Sequence, residues 1–278
     1  MATYDEILLA LRQAVEKRPD LDGVIELYGT LLEAEARTEI ELCPASAVDK
    51  RRAGRRLDEG RPLLSPEQVL IDEGKLYGLL AEIGLTIAHH RRELVRPLAK
   101  MNAWLHKQRE RIGELAVEYL REGHLLEAEK AGLPNELVSF VFREALRPFL
   151  RAQARTLRPL VNGVQWCRPS CPVCGGEPDF AAFQADSGGR LLLCSRCDSE
   201  WTFRRVACPF CGNDEPPQLA YYPSEDQVYR LTVCERCHRY LKTIDLRRVT
   251  GARVLPTERA LTVAMDVAAQ KAGYRGNG

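Results

Sequence analysis

The chain has 278 residues, of which 45% are apolar and 28% charged, with a net charge of +1. This length accommodates two domains with a sizeable core, and the balance of charges, which holds in both halves, argues against nucleic acid as the main partner. No apolar run approaches the roughly 18–20 residues of a membrane span, and Asp5 and Glu6 stand where a signal peptide would carry bases. We therefore expect a cytoplasmic protein without membrane insertion.

Apolar residues recur with helical spacing through residues 1–160, which predicts a bundle of roughly five to seven helices. The first helix is predicted over Tyr4 to Arg18, after a capping box formed by Thr3 and Glu6. The second is predicted to end before Cys43. The basic run from Asp49 to Pro62 lacks an apolar period, and we predict a loop or a frayed helix there.

The helical pattern resumes at Ser65, with a stop near Gly132 and a bend at Pro148 in the last helix of this half. Nothing here predicts catalysis. Two adjacent histidines on a helix point about 100° apart, so they make poor co-ligands, and the other histidines of this half are isolated. The residues that we interpret as structural are His89, His90, His106, His124 and Cys43.

Eight of the ten cysteines form four Cys-x-x-Cys pairs between residues 171 and 237. Two pairs have the fuller form Cys-Pro-x-Cys-Gly. Two residues between thiolates let both sulfurs reach one tetrahedral ion, proline stiffens the turn, and glycine permits the tight backbone that follows. In a reducing compartment such clusters bind metal more often than they form disulfides. The predicted metal ligands are Cys171, Cys174, Cys194, Cys197, Cys208, Cys211, Cys234 and Cys237.

The cysteine-rich stretch is also an internal duplication. The segment from Arg190 to Cys197 recurs as Arg230 to Cys237 at an offset of 40 residues, and the upstream knuckles repeat at an offset of 37. Each unit holds four thiolates, enough to close one tetrahedral site. We therefore pair the first Cys-x-x-Cys with the second and the third with the fourth. Crossed or nested pairing stays open, because spacing alone does not exclude it.

Iron and zinc both accept tetrahedral sulfur coordination, so the predicted cofactors are two tetrahedral metal ions, iron or zinc, each bound by four cysteines. A site with four thiolates has no open position for a substrate, which argues against metal-assisted hydrolysis. Cys167 breaks the repeat and His238 follows a complete set of four sulfurs, so neither is assigned as a ligand. The sequence is compatible with a structural metal and with a redox-active one.

These patterns predict an α+β multidomain fold, with an N-terminal helical bundle followed by two tandem rubredoxin-like or zinc-ribbon metal units and a C-terminal helix. Short apolar strands, Leu191 to Leu193 and Leu231 to Val233, deliver the second half of each metal site. One terminal helix, Thr257 to Ala272, ends at Gly273 and docks on the ribbons or the bundle. The predicted domains are residues 1–160, 161–205, 206–255 and 256–278.

The motifs resemble the formate dehydrogenase accessory (formation) protein family, FdhE. The resemblance is specific over residues 171–275 and agrees only in helical character before them. The segments that carry it are Cys171 to Pro178, Leu192 to Trp201, Arg205 to Gly212, Cys234 to Lys242, and the terminal helix with Asp266 and the ending Gly273-Tyr274-Arg275.

The resemblance implies a cytoplasmic, non-catalytic maturation factor needed for active formate dehydrogenase. It further implies rubredoxin-like metal centres and contact with the catalytic subunit of the molybdenum- or tungsten-dependent enzyme. A homodimer is also considered. Two alternatives stay open: a zinc-ribbon nucleic-acid binder, which would bind with steep salt dependence, and a thiol redox or sulfur-transfer protein, which would need a rapidly alkylated thiol.

Overall fold

The computed structural model describes residues 1–16, 21–38 and 50–276. Our predictions for Arg18 and Cys43 fall outside these residues. Helices fill the first part of the chain, as the apolar spacing predicts. Their bounds are α1 (Tyr4–Val15), α2 (Asp22–Thr38), α3 (Lys50–Asp58), α4 (Glu73–His90), α5 (Val95–Lys107), α6 (Ile112–Glu122), α7 (Leu126–Lys130) and α8 (Asn135–Leu157).

The capping box at the start of α1 is confirmed. The hydroxyl of Thr3 accepts from the backbone N–H of Glu6 at 3.2 Å, and the Glu6 carboxylate accepts from the N–H of Thr3 at 2.8 Å. These two bonds satisfy N–H groups that the first turn of a helix leaves without partners. Pro148 lies inside the continuous helix α8.

The predicted loop or frayed helix over Asp49 to Pro62 is in fact helix α3 from Lys50 to Asp58, followed by a turn at Gly60. Ala53 and Leu57 are buried, at 5% exposure each, and they lie four residues apart on one face of the helix. Two apolar side chains are too few to show a period in the sequence. They are enough to hold a short basic helix against the bundle.

In the described part of the chain, six strands form one sheet, and the predicted strands around residues 191–193 and 231–233 are confirmed within it. Their bounds are β1 (Pro178–Phe183), β2 (Arg190–Cys194), β3 (Glu200–Phe203), β4 (Leu219–Pro223), β5 (Tyr229–Cys234) and β6 (Arg239–Asp245). The spatial order is β3-β2-β1-β6-β5-β4. Each metal unit is an antiparallel three-stranded meander, and the two meanders join through the parallel pair β1 and β6.

The predicted single terminal helix is wrong in one respect, because two helices, α9 (Leu255–Leu261) and α10 (Val263–Lys271), replace it. They meet at Thr262, which has φ −106° and ψ 20° and whose hydroxyl donates to the carbonyl of Glu258 at 2.9 Å. Docking of this segment is confirmed on both sides. Helix α9 packs on α1, α2 and β1, and α10 packs on β6.

The predicted fold class is confirmed, with a helical region followed by a sheet that carries both cysteine clusters. One apolar core runs from the bundle into the first metal unit, where it includes Val173, Leu192 and Trp201. The four domain boundaries stay a prediction. Over the residues that the structure describes, no helix combines the length and apolar character needed to span a membrane.

Candidate metal centres

Both Cys-Pro-x-Cys-Gly segments fold into the same tight turn. In the first, the N–H of Gly175 donates to the carbonyl of Cys171 at 3.0 Å, and in the second, the N–H of Gly212 donates to the carbonyl of Cys208 at 3.0 Å. Each glycine has φ +73°, a left-handed conformation that is unfavourable for residues other than glycine. The glycine of the motif therefore sets the direction in which the chain leaves each pair of thiols.

The second Cys-x-x-Cys pair of each unit reaches a similar turn without glycine. Asp198 follows Cys197 with φ 54°, and His238 follows Cys237 with φ 53°. In the second unit the N–H of His238 donates to the carbonyl of Cys234 at 2.8 Å. A left-handed residue thus follows all four pairs, which is the structural counterpart of the duplication in the sequence.

The turns bring the eight predicted thiols together in two groups of four, and within each group all sulfurs lie within 4.8 Å of one another. A tetrahedron with metal–sulfur bonds of about 2.3 Å separates its sulfurs by about 3.8 Å. Two sulfur–sulfur distances in the first group are 3.5 and 3.7 Å, and two in the second are 3.6 and 3.7 Å. Both groups therefore fit a tetrahedral ion, and the grouping within units agrees with the duplication. The first group is Cys171, Cys174, Cys194 and Cys197, and the second is Cys208, Cys211, Cys234 and Cys237.

The first centre is buried against the helical bundle. Cys171, Cys194 and Cys197 are each 0% exposed. Burial raises the pKa of the Cys171 thiol well above its usual value, so an ion there must offset the cost of a buried thiolate. The bundle also pairs directly with the knuckle, because the N–H groups of Leu63 and Leu64 donate to its backbone carbonyls at 2.9 Å each.

The second centre lies closer to solvent. Cys211 is exposed and Cys237 is half-buried, whereas Cys208 and Cys234 are buried. Burial raises the pKa of Cys234, but hydrogen bonds from backbone N–H groups and the Asn213 amide outweigh it and lower that pKa to about 7. The two centres therefore share their geometry and differ in access.

Charged side chains that the sequence analysis did not single out fix the first unit to the bundle. Arg151 of α8 pairs with Asp198, and Arg147 of the same helix donates to the carbonyl of Ser195 at 3.2 Å. From the other side, Arg196 donates to the carbonyl of Leu120 in α6 at 2.9 Å. The sequence shows these residues only as basic side chains in an otherwise apolar helix, and periodicity alone predicts that such side chains are exposed to solvent.

Several residues set aside in the sequence lie outside both groups. Cys167 is exposed and belongs to neither set of four sulfurs. No histidine joins a group of candidate metal ligands among the described residues. His238 contributes the left-handed turn after Cys237 rather than a ligand atom. Whether the eight cysteines hold metal in the purified protein stays a prediction.

A polar cavity of 790 Å³ lies between α8, β6 and α10, away from the cysteines. Several charged groups in its wall pair with one another. Lys242 donates to Asp266 at 2.5 Å, and Arg259 lies 3.3 Å from Asp179. Burial lowers the pKa of Lys242, and the pairing with Asp266 opposes that change. These contacts form a network that joins the terminal helices to the sheet.

Comparison with known proteins places these features in a family context. Residues 170–205, which contain all four cysteines of the first centre, match the family described as FdhE, central domain. The chain is 26% identical to a protein FdhE homolog of Aquifex aeolicus, over 93% of this chain and 88% of that protein. It is 32% identical to a protein FdhE homolog of Pseudomonas aeruginosa, over 57% of each. A shorter match, with 36% identity, covers 26% of this chain and 24% of a homolog from Shewanella oneidensis.

The fold is also similar to a solved structure. The crystal structure of the FdhE protein from Pseudomonas aeruginosa superposes with a TM-score of 0.64, over 99% of this chain and 94% of that one. Sequence identity over this match is 22%, so the superposition shows that the two chains share a fold and shows nothing about function. The helical region, for which the sequence resemblance was loose, is included in it.

Proposed function

We propose that this chain belongs to the FdhE family, to whose members it is similar in sequence, and that it is a cytoplasmic accessory protein for the assembly of active formate dehydrogenase. It would bind the catalytic subunit of the molybdenum- or tungsten-dependent enzyme and hold two metal ions. The observation that carries the proposal is the pair of four-sulfur groups built into the sheet, one of them continuous with the core of the bundle. A small sheet stabilised in this way presents a rigid surface to a partner.

The residues that would hold metal are the eight cysteines of the two groups. When bound, the ions would supply folding free energy and fixed geometry, because structural metal sites of this kind contribute to folding outright. Four thiolates complete a tetrahedron and leave no position for a substrate. This closed coordination supports a role without catalysis.

A pull-down tests the partner. The tagged chain is the bait in extracts of its native cells grown anaerobically with formate, and mass spectrometry identifies what it retains. We expect the catalytic subunit to be enriched over a bait in which Cys171 and Cys234 are both changed to Ser. A bait with the Cys167→Ser change should behave as the unchanged protein, because Cys167 lies outside both groups.

The proposal predicts a matching result in cells that lack the chain. The catalytic subunit would still be synthesised, but formate dehydrogenase activity would fall, and the unchanged chain would restore it. Full activity in the deletion strain, together with no enrichment of the subunit by the bait, would rule out the proposed role.

Elemental analysis of anaerobically prepared protein tests the metal. We expect about two ions per chain, one for each set of four cysteines. A visible absorption spectrum of the same sample distinguishes the two metals, because iron in thiolate coordination absorbs visible light and zinc does not. Fewer than one ion per chain, with all eight thiols titratable, would contradict metal binding.

One observation favours the redox alternative enough to test it. Cys211 of the second centre is exposed, and an exposed thiolate is where thiol chemistry would begin. Rapid alkylation of Cys211 in metal-loaded protein, with retention of the ion, would support a redox role for this site. Alkylation that proceeds only as the metal is lost supports a structural one.

A further inference from the structure

A cluster of arginines lies at one end of the sheet, beside the linker that connects the two metal units. It lines a cavity of 180 Å³ between β1, β2, β4, β5 and residues 205–207. The lining includes Arg190, Arg205 and Arg230, and none of its described residues carries a carboxylate. Arg230 pairs with Asp245 outside the lining at 2.9 Å, which leaves Arg190 and Arg205 as the two guanidinium groups of this pocket without a carboxylate partner among the described residues.

Arg190 is the most unusual member of the cluster. It is 3% exposed, and its Nη1 donates to the carbonyl of Ala207 at 2.8 Å. Its Nε and Nη2 have no hydrogen-bond partner within the described parts of the chain. Burying an arginine without a carboxylate partner is costly in free energy. The Nε and Nη2 groups of Arg190, each of which could donate a hydrogen bond to an oxygen of an anion, are left without partners in this pocket.

The neighbouring arginines add positive charge that carboxylates neutralise only in part. Arg230 and Arg247 share one carboxylate, because both lie near Oδ2 of Asp245, at 2.9 and 2.6 Å. Arg205 forms no ion pair among the residues that the structure describes and instead lies 5.4 Å from the ring centre of Phe183. The guanidinium groups of Arg230 and Arg247 lie 4.8 and 5.7 Å from the same ring.

The turn between β1 and β2 brings two of these charges together. A Cβ atom at Gly188 would lie 3.1 Å from Nη1 of Arg205 and 3.5 Å from Nη1 of Arg247. Both guanidinium groups therefore lie near the same turn, and like charges near one another repel. Negative charge bound beside Arg205 would reduce that repulsion.

We propose that this pocket binds one oxyanion group, a carboxylate or a phosphate, between Arg190 and Arg205. The planar fork of a guanidinium matches both kinds of group with paired hydrogen bonds. The volume of the cavity limits the bound part to a single small group. This inference stands on the arginine cluster alone and does not depend on the proposed role in formate dehydrogenase assembly.

Arginine side-chain NMR of the full-length, metal-loaded chain tests the proposal. The Nε–H resonances are followed while inorganic phosphate, and separately sodium acetate, is added at constant ionic strength. We expect saturable shifts of Arg190 and Arg205. The Arg205→Gln variant should weaken binding by about tenfold, the equivalent of about 1.4 kcal/mol, because it removes a charged hydrogen-bond donor to the anion.

Arg204→Gln is the matched control, because Arg204 is the adjacent arginine and pairs with the exposed Asp214 at 3.0 Å, outside the cavity. It should leave the affinity unchanged. Tighter binding of phosphate than of acetate would assign a phosphate group, and the reverse would assign a carboxylate.

Three results would overturn the proposal. The first is the absence of a saturable shift with either anion. The second is equal weakening by Arg205→Gln and Arg204→Gln, which would indicate a general effect of net charge. The third is binding of a single-stranded oligonucleotide that Arg205→Gln abolishes while neither small anion binds, because a surface that follows a nucleic-acid backbone would then replace the single-anion site.

Discussion

Arg151 and Asp198 form an ion pair in which each side chain is only 1% exposed. Arg151 belongs to α8, and Asp198 directly follows Cys197, so the pair ties the bundle to the last thiol of the first centre. Arg259 of α9 lies 3.0 Å from the same carboxylate, and Arg151 also donates to the carbonyl of Ala2 at 2.6 Å. One acidic side chain thus connects the bundle, the first metal unit and the terminal helices.

Replacing Asp198 by Asn should destabilise the protein strongly. Asn accepts the left-handed backbone at this position, so the change removes the charge and keeps the turn. It leaves Arg151 and Arg259 buried without their shared counter-charge, and breaking a buried pair costs about 3–5 kcal/mol. Urea unfolding of metal-loaded protein measures the loss.

The matched control for that prediction is Asp214→Asn. Asp214 pairs with Arg204 at the surface, where both side chains are at least half exposed. Such pairs contribute about 0–1 kcal/mol. Equal effects of Asp198→Asn and Asp214→Asn would show that the buried junction does not stabilise the fold.

The stability of the protein should fall as the pH rises, because of Glu35. This carboxyl group of α2 is fully buried and accepts from the hydroxyl of Tyr4 at 3.1 Å. Burial raises the pKa of Glu35 to about 8. Its protonated form is favoured in the folded state, so its contribution is complete below its unfolded pKa, about 4.3, and is lost as the pH rises through about 8.

Glu35→Gln should remove that dependence. The free energy of unfolding of the unchanged protein, relative to the variant, should fall by at least about 1.4 kcal/mol between about pH 6 and about pH 9, the equivalent of one pKa unit. Glu33→Gln is the control, since Glu33 lies on the same helix with 48% of its side chain exposed. A constant difference between the unchanged protein and Glu35→Gln across this range would contradict the prediction.

The second centre should lose its metal before the first. A chelator reaches ligands from solvent, and Cys211 is exposed whereas three cysteines of the first centre are fully buried. We expect two phases of metal release during incubation with a chelator. Alkylation followed by mass spectrometry should label Cys211 in the first phase and Cys194 in the second. Labelling in the opposite order would show that burial does not control access.

Loss of one ligand should release one ion. Cys171→Ser and Cys234→Ser should each lower the metal content from about two ions to about one, because an incomplete set of thiolates binds weakly. A structural ion contributes on the order of 10 kcal/mol to a small metal unit. We expect Cys171→Ser to lower the melting temperature more, because Cys171 belongs to the core shared with the bundle.

Cys167→Ser is the control for both ligand variants. Cys167 is exposed and outside both groups, so metal content and melting temperature should stay at the values of the unchanged protein. Unchanged metal content in Cys171→Ser or Cys234→Ser would show that the assignment of ligands is wrong.

The sequence by itself predicted the eight cysteines, the tight turns of the two Cys-Pro-x-Cys-Gly motifs and the short strands that precede Cys194 and Cys234. These features depend on contacts between residues close in the chain, so spacing and residue type are sufficient to predict them. The capping box before α1 and the helical character of the first half follow for the same reason. The resemblance to the FdhE family rests on these same local motifs.

Only the tertiary structure decided how the pieces combine. The parallel pairing of β1 with β6 joins two separate metal units into one sheet, and no local pattern specifies a pairing between strands so far apart in the chain. The break at Thr262 and the burial of Arg151 likewise depend on what packs against them. The charge of an arginine by itself predicts that the side chain is exposed to solvent. Its burial becomes possible only when an ion-pair partner from elsewhere in the fold lies beside it.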